Sequence, residues 1–372
     1  MFKTIFINST FATDGGVKTI LDNFIDAIKT INITDTQFIF FVPEGYKEPV
    51  MMQDNIKIVK IDAKDWHKRV LWDFIGLKIW SMKNKIRANT IFSLQNTSVN
   101  YYKNSKQIVY IQQPIPFEED ITWSFFKKEE RKLWFYKMFY LNFIKIFLSK
   151  DNKIIVQTDW MKRAAAKKLK KIKYENIYII KPAIKELNTS VNKECIFDKS
   201  HYNIFYPAMG YVYKNHMVLV QALKIIKEKY KEYYENLRIY FTLGDSSDYE
   251  KKILDKIREW KLEDKIIFMG KVPYNTVLNG YTSCDLMVFP SYIETFGLPL
   301  IEAAQYGNPI IASDREFSRE VIGNYEGVTF VDYDNPKQWA EEIVKNIIIC
   351  KKYDSYFVKY ETNWKDLIQL LL

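Results

Sequence analysis

The chain has 372 residues, 48% hydrophobic, 16% aromatic and 27% charged, which is enough length and apolar content for two compact cores with a cleft between them. Its three cysteines, Cys195, Cys284 and Cys350, have no paired spacing, which argues against a disulfide framework or a zinc site and suits a reducing compartment. A net charge of +10 favours phosphates, anionic lipid or nucleic acid as partners without choosing among them.

The N-terminus, MFKTIFINSTFATDGG, turns polar too soon for a signal peptide. No apolar run approaches the roughly 20 residues that a membrane span requires, so a cytoplasmic protein is expected. Lys3 to Asn8 reads as a buried strand, Gly15-Gly16 as a turn, and Ile20, Phe24 and Ile28 as the apolar face of a following helix. Strand-like runs recur at Phe38 to Val42, Ile56 to Ile61, Thr90 to Leu94, Ile108 to Gln112 and Lys153 to Gln157, with helical stretches between several of them. This alternation predicts a parallel α/β sheet.

Within that half, Trp123 to Leu148 holds a KKEERK cluster followed by LWFYKMFYLNFIKIFL, in which only Lys137, Asn142 and Lys145 interrupt the apolar residues. It reads either as a helix buried in the domain or as an interfacial helix approaching an anionic membrane. The basic run AAAKKLKK, Ala164 to Lys171, extends such a surface or forms a solvated helical face.

A polar stretch from Lys185 to Ser200 is read as a linker, separating a first domain at 1–184 from a second at 201–352. Residues 353–372 are read as a C-terminal helix packing back on the first domain. In the second half, strands are expected at Asn203 to Tyr206, Leu237 to Leu243, Lys265 to Met269, Asp285 to Phe289, Pro309 to Ala312 and Val328 to Val331. Six such βα repeats describe a second doubly wound domain.

The segment CDLMVFPSYIETFGLPLIEAAQYGNPIIASD, Cys284 to Asp314, carries the most chemistry. A strand ends at Phe289, a loop carries Glu294, and a helix begins near Leu298 or Pro299. Proline suits a first helical turn because its missing N–H would have no partner there. Ligands of open α/β sheets bind at the carboxyl ends of strands, where helix N-termini attract phosphate. Glu294 in the loop and Glu302 in the helix can therefore face one cleft, and a carboxylate is a good acceptor for vicinal hydroxyls.

ETFGLPLIEA, with its two Glu eight residues apart, resembles the signature of the retaining GT-B glycosyltransferases of family 4. The resemblance implies two Rossmann-like doubly wound domains facing a central cleft. It also implies transfer of a sugar from a nucleotide-diphosphate donor to a glycan or lipid-linked glycan in bacterial surface polysaccharide assembly. It assigns Glu302 to the ribose, and Glu294 with the backbone of Thr295, Phe296, Gly297 and Leu298 to the sugar and diphosphate. FYPAMGYVYKNHMVLVQAL is similar to the segment opening the family's second domain, with Lys214 facing the diphosphate. Many members carry an Arg about six residues earlier, where this chain has the neighbourhood of Ala208. FMGKVPYNTV resembles the base-binding turn, with contacts from Gly270 to Val272, and Gly15-Gly16 resembles the glycine loop near the donor phosphates. A histidine common in the family has its counterpart here in YIQQPIPF, so Gln112 or Gln113 stands at the reacting sugar.

Three further readings complete the expectation. His67, His201 and His216 are isolated and read as structural or surface residues. Asp332-Tyr333-Asp334 matches a D-x-D metal motif in form, but Asp334 precedes Asn335-Pro336 and a helical run, so helix capping explains it and no essential metal or cofactor is expected. The competing functions are a nucleotide-sugar epimerase of similar fold and a non-catalytic basic protein binding membrane or nucleic acid, although no nucleic-acid reading motif is present.

Overall fold

A computed structural model describes residues 3–12, 15–31, 33, 35–48, 53–63, 65–184, 194–357 and 364–372. Among them, thirteen short runs rich in β-branched and aromatic residues form strands: β1 (Lys3–Asn8), β2 (Thr36–Pro43), β3 (Ile56–Ile61), β4 (Thr90–Ser93), β5 (Lys106–Tyr110), β6 (Lys153–Val156), β7 (Ile177–Ile179), β8 (Tyr202–Tyr206), β9 (Leu237–Phe241), β10 (Ile266–Phe268), β11 (Leu286–Phe289), β12 (Ile310–Ser313) and β13 (Val328–Val331). They build two sheets, ordered β3-β2-β1-β4-β5-β6-β7 and β10-β9-β8-β11-β12-β13. All the pairings within them are parallel. Each order reverses once, between β1 and β4 and between β8 and β11, as in doubly wound folds.

The first sheet is covered on both faces, so its strands need apolar residues at successive positions rather than in alternation. Ile5, Ile7, Phe38, Phe40 and Val42 pack on one face with Leu21, Phe24 and Ile28 of the helix Gly15–Thr30. Phe6, Ile39 and Phe41 pack on the other with Leu77 and Ile91. Gly15 and Gly16 are the first two helical residues, not the turn read from the sequence; the chain turns earlier, where the N–H of Ala12 bonds the carbonyl of Ser9 at 3.0 Å.

Contacts divide the chain into two units, one of residues 1–122, 135–183 and 361–372, the other of residues 123–134 and 184–360. Three boundaries differ in detail from the reading above. Most of the linker, 185–193, lies outside the described residues, but Phe197 is buried and stacks on Tyr240 with ring centroids 3.9 Å apart, so the end of that stretch is part of the second unit's core. Trp123–Trp134 belongs to the second unit rather than the first. There Trp123 Nε1 donates to Tyr292 Oη at 3.4 Å, and Glu129 pairs with Lys252 at 2.7 Å. Residues near 353 also stay with the second unit, the N–H of Tyr353 bonding the carbonyl of Gly307 at 2.9 Å. The helix itself, Trp364–Leu371, packs in the first, with Trp364 against Phe24 and the carbonyl of Leu371 accepting from Thr90 Oγ1 at 3.1 Å.

The aromatic stretch is not one uniform helix. Arg131–Phe135 is α-helical, Tyr136–Tyr140 is a π turn, and Leu141–Lys145 is α-helical again. Leu133, Tyr140, Ile144 and Leu148 are buried while Phe135, Met138, Phe139 and Ile146 are exposed, so the expected burial holds for one face only.

Candidate functional site

The reversal of strand order between β8 and β11 leaves a crevice at their carboxyl ends, because the crossovers leaving these two strands run to opposite sides. The sequence puts Lys214 in the loop after β8 and Glu294 in the loop after β11. Lys214 ends a 3₁₀ turn, Val212–Lys214; Asn215 in the left-handed region at φ 58° separates it from the helix His216–Lys229. Its ammonium forms an ion pair with Glu294 Oε1, which also accepts from Ser291 Oγ at 2.6 Å. Two further bonds hold the loops in register. The N–H of Tyr292 bonds the carbonyl of Tyr213 at 3.0 Å, and Tyr206 Oη donates to the carbonyl of Lys214 at 2.7 Å.

Glu294 leads into the helix Leu298–Gln305, with Pro299 in its first turn. Gly297 caps it at φ 94°, a region that side-chain-bearing residues rarely adopt, and a Cβ there would sit 3.3 Å from Leu300 Cδ1. Phe296 is buried beside it and Thr295 is half-buried. The helix's positive dipole end therefore opens next to Lys214 and Glu294, an arrangement that favours an anion.

Glu302 lies in the second turn of the same helix. Tyr274 Oη donates to its Oε1 at 2.8 Å and Tyr281 Oη to its Oε2 at 3.0 Å. Burial raises its pKa above the ordinary carboxylate value, while the two phenol hydrogen bonds pull it back down. Both tyrosines lie on the helix Tyr274–Ser283, seven residues apart, a spacing of two turns that places them on one face. That helix follows the turn at Gly270, whose φ is 72° and whose N–H bonds the carbonyl of Leu243 at 2.9 Å, with Val272 next along the chain. The turn, the tyrosine pair and Glu302 thus form one contiguous edge of the second unit.

Residues 189–364 match the family model of the glycosyl transferases group 1. That span contains Lys214, Gly270, Glu294 and Glu302. The O-antigen chain mannosyltransferase RfbU of Salmonella typhimurium is 28% identical over 192 residues, 50% of this chain and 51% of that one. The chain spans about half the length of the curated relatives it matches. Among solved structures, sucrose-phosphate synthase from Thermosynechococcus elongatus has a TM-score of 0.70 at 14% identity, over 100% of this chain and 95% of that one. Anabaena HepE in complex with UDP and glucose has a TM-score of 0.60 at 11% identity, over 100% and 99%. These likenesses show the fold, two Rossmann-like parallel-sheet domains of the GT-B glycosyltransferase type.

With the glycosyltransferase match in hand, the remaining candidates can be placed. Gly15, Gly16 and Gln113 lie in the first unit, after β1 and β5. Gln113 Oε1 accepts from the N–H of Ile115 at 3.3 Å, and the N–H of Gln112 donates to Asn96 Oδ1 at 2.5 Å, so both glutamines are engaged in local turns. His216 is fully buried between Tyr206, Phe241 and Tyr249, and burial pushes its pKa down to about 3, so it stays neutral in the core. Asp334 is not the helix cap expected of it. Asn335 Oδ1 accepts from the N–H of Gln338 at 3.1 Å and caps Pro336–Ile349, while Asp332 Oδ1 accepts from the N–H of Asp334 at 3.1 Å. The tyrosine pair on Glu302 and the hydroxyl of Ser291 on Glu294 were missed in the sequence; the i, i+7 tyrosine spacing was the available signal.

Proposed function

We propose that the protein transfers a sugar from a nucleotide-diphosphate donor, without an essential metal, to a glycan or lipid-linked glycan in bacterial surface polysaccharide assembly. The observation that carries this reading is the meeting of Lys214 and Glu294 at the carboxyl ends of β8 and β11, beside a helix N-terminus. RfbU's O-antigen role and HepE's bound UDP and glucose support the substrate classes.

In this reading the diphosphate gives the Lys214 ammonium a second anion, and Glu294, drawn from that ion pair, accepts from sugar hydroxyls. As the glycosidic bond breaks, negative charge gathers on the β-phosphate, where the preorganised ammonium and the helix dipole stabilise it. The anomeric configuration is retained, the departing phosphate taking the acceptor's proton on the face it leaves. Glu302 takes the ribose hydroxyls, with Tyr274 and Tyr281 holding its two oxygens at a fixed angle, and Gly270 to Val272 meet the base through their backbone. Thr295, Phe296, Gly297 and Leu298 line the diphosphate side. On the first unit, Gly15, Gly16 and Gln113 are the candidate contacts, and the acceptor is met at an anionic membrane.

A screen of nucleotide diphosphates and their sugars for protection against thermal unfolding tests the donor assignment. A ligand present at a hundred times its dissociation constant adds about 2.7 kcal/mol to stability. A protein that none of them protects does not use this class of donor.

A further inference from the structure

Exposed large apolar side chains are scattered singly on most protein surfaces, and a concentration of them marks an interaction site. Among the described residues, nine of the twenty in this chain fall in two short segments of the first unit: Trp66, Leu71, Ile75, Ile79 and Met82, then Phe135, Met138, Phe139 and Ile146. Leu71, Ile75, Ile79 and Met82 are spaced four, four and three apart, which lines them up along one side of a helix. That helix runs without a break through Trp66–Leu71, Trp72–Gly76 and Leu77–Asn84, and its opposite side, Arg69, Asp73, Leu77 and Ser81, is buried.

The two segments are neighbours. Trp66 meets Phe143 with ring centroids 5.4 Å apart, and Phe74 meets Phe147 at 4.7 Å. Between them opens a narrow slot to which Trp66 and Ile146 also contribute, so it joins one segment to the other. Each helix carries one π turn, Trp72–Gly76 and Tyr136–Tyr140, and the turns bring Asp73 and Tyr140 around the buried Arg69. Arg69 donates to Tyr140 Oη at 3.3 Å, and Asp73 accepts from Asn8, Gln95 and Thr97 at 2.9, 2.8 and 2.7 Å. This network fixes the inner sides of both helices and leaves the apolar sides turned outward.

The charges around the face are predominantly positive; acids flank both segments at Asp62, Asp65 and Asp151, and Asp62 is paired with Lys68. Residues 66–87 and 135–150 carry nine Lys and Arg and a single acid, Asp73, which is buried as Arg69 is. Lys83, Lys85, Arg87 and Lys150 are exposed. An apolar stripe rimmed by cations is the chemistry of a surface that lies in the headgroup layer of an anionic bilayer. No helix among the described residues is long and apolar enough to cross a membrane.

We propose that this face of the first unit, led by the stripe Leu71-Ile75-Ile79-Met82, docks the protein on an anionic lipid bilayer. The inference deepens the reading that the acceptor is met at a membrane, but it is measured without any sugar. Sedimentation with vesicles of phosphatidylcholine, and of an equimolar mixture with phosphatidylglycerol, tests it on the full chain. The wild-type protein should pellet with the mixed vesicles and stay in solution with phosphatidylcholine alone. Replacing Ile75, Ile79 and Met138 by Ser should abolish pelleting. Lys83→Glu with Lys85→Glu, which leaves the apolar residues untouched, should weaken it by roughly fivefold for each charge. Thermal melts and nucleotide protection of both variants should match the wild type, which separates loss of lipid binding from loss of fold or of the donor site. A wild-type protein that ignores the mixed vesicles, or variants that pellet as it does, would overturn the proposal. So would a dimer in sedimentation equilibrium that the serine changes convert to monomer, since the face would then belong to a second copy.

Discussion

Glu294 and Glu302 stand eight residues apart in one loop and helix, yet they are held in opposite ways. Glu294 meets a cation, with Ser291 adding a neutral donor, so its charge is balanced before any ligand arrives. Glu302 meets two neutral phenols, which orient its oxygens without cancelling its charge, and burial raises its pKa. The difference teaches what each is suited to. A carboxylate already paired with an ammonium can exchange partners when a diphosphate competes for that ammonium. One braced by phenols is a fixed acceptor for hydroxyl groups and changes little when they bind.

The largest effect should come from breaking the ionic side. Lys214→Ala removes the cation at which leaving-group charge develops and should lower turnover by roughly a hundredfold or more at saturating donor. A variant with an unchanged steady-state rate would mean that other groups stabilise that charge.

The phenol side should respond more gently and should grade by burial. Tyr281 is fully buried, so Tyr281→Phe should cost about 1–3 kcal/mol of stability by stripping a donor from Glu302. Tyr274 is 49% exposed, and water can replace its hydroxyl, so Tyr274→Phe should cost about 0.5–1.5 kcal/mol or less. Both bonds lower the pKa of Glu302, so losing either should raise it further. A carboxyl whose folded pKa lies above its unfolded value holds its proton more readily when folded. Its contribution is therefore most favourable in acid and fades as pH rises through the folded pKa. The deficit of Tyr281→Phe should accordingly be larger at neutral pH than in acid, as paired thermal melts would read. An equal deficit at both would show that the hydroxyl does not act through the carboxylate.

The two glutamates were legible in the sequence, and their different company was not. Strand positions came from runs such as Lys3 to Asn8 and Leu286 to Phe289, where apolar continuity signals a sheet covered on both faces. The strand Ile177–Ile179 escaped: its three residues follow directly on the 3₁₀ turn Tyr174–Asn176 and end just before Lys181-Pro182. Pro299 marked the helix start through local chemistry that any sequence displays. The Lys214 to Glu294 pair joins residues 80 apart and exists only because β8 and β11 are neighbours, a fact of strand order that periodicity does not carry. The same holds for Trp123–Trp134, whose residence with the second unit depends on Tyr292 and Lys252, more than a hundred residues away. The exposed stripe after Trp66 was hidden for another reason. The buried side of its helix carries Arg69, Asp73 and Ser81 while apolar residues face outward, the reverse of an ordinary amphipathic helix, and one π turn shifts the register on which a simple helical period relies.

Calorimetric titration of a nucleoside diphosphate into Glu294→Gln and Glu302→Gln, beside transfer assays on the same proteins, tests the central claim most directly. Glu302→Gln should bind the nucleotide roughly ten- to a hundredfold more weakly, the loss of about 1.5–3 kcal/mol expected for a charged hydrogen-bond partner. Glu294→Gln should bind it nearly as the wild type does and lose turnover instead, because its partner is the reacting sugar. Wild-type nucleotide affinity in Glu302→Gln together with wild-type transfer in Glu294→Gln would contradict the account.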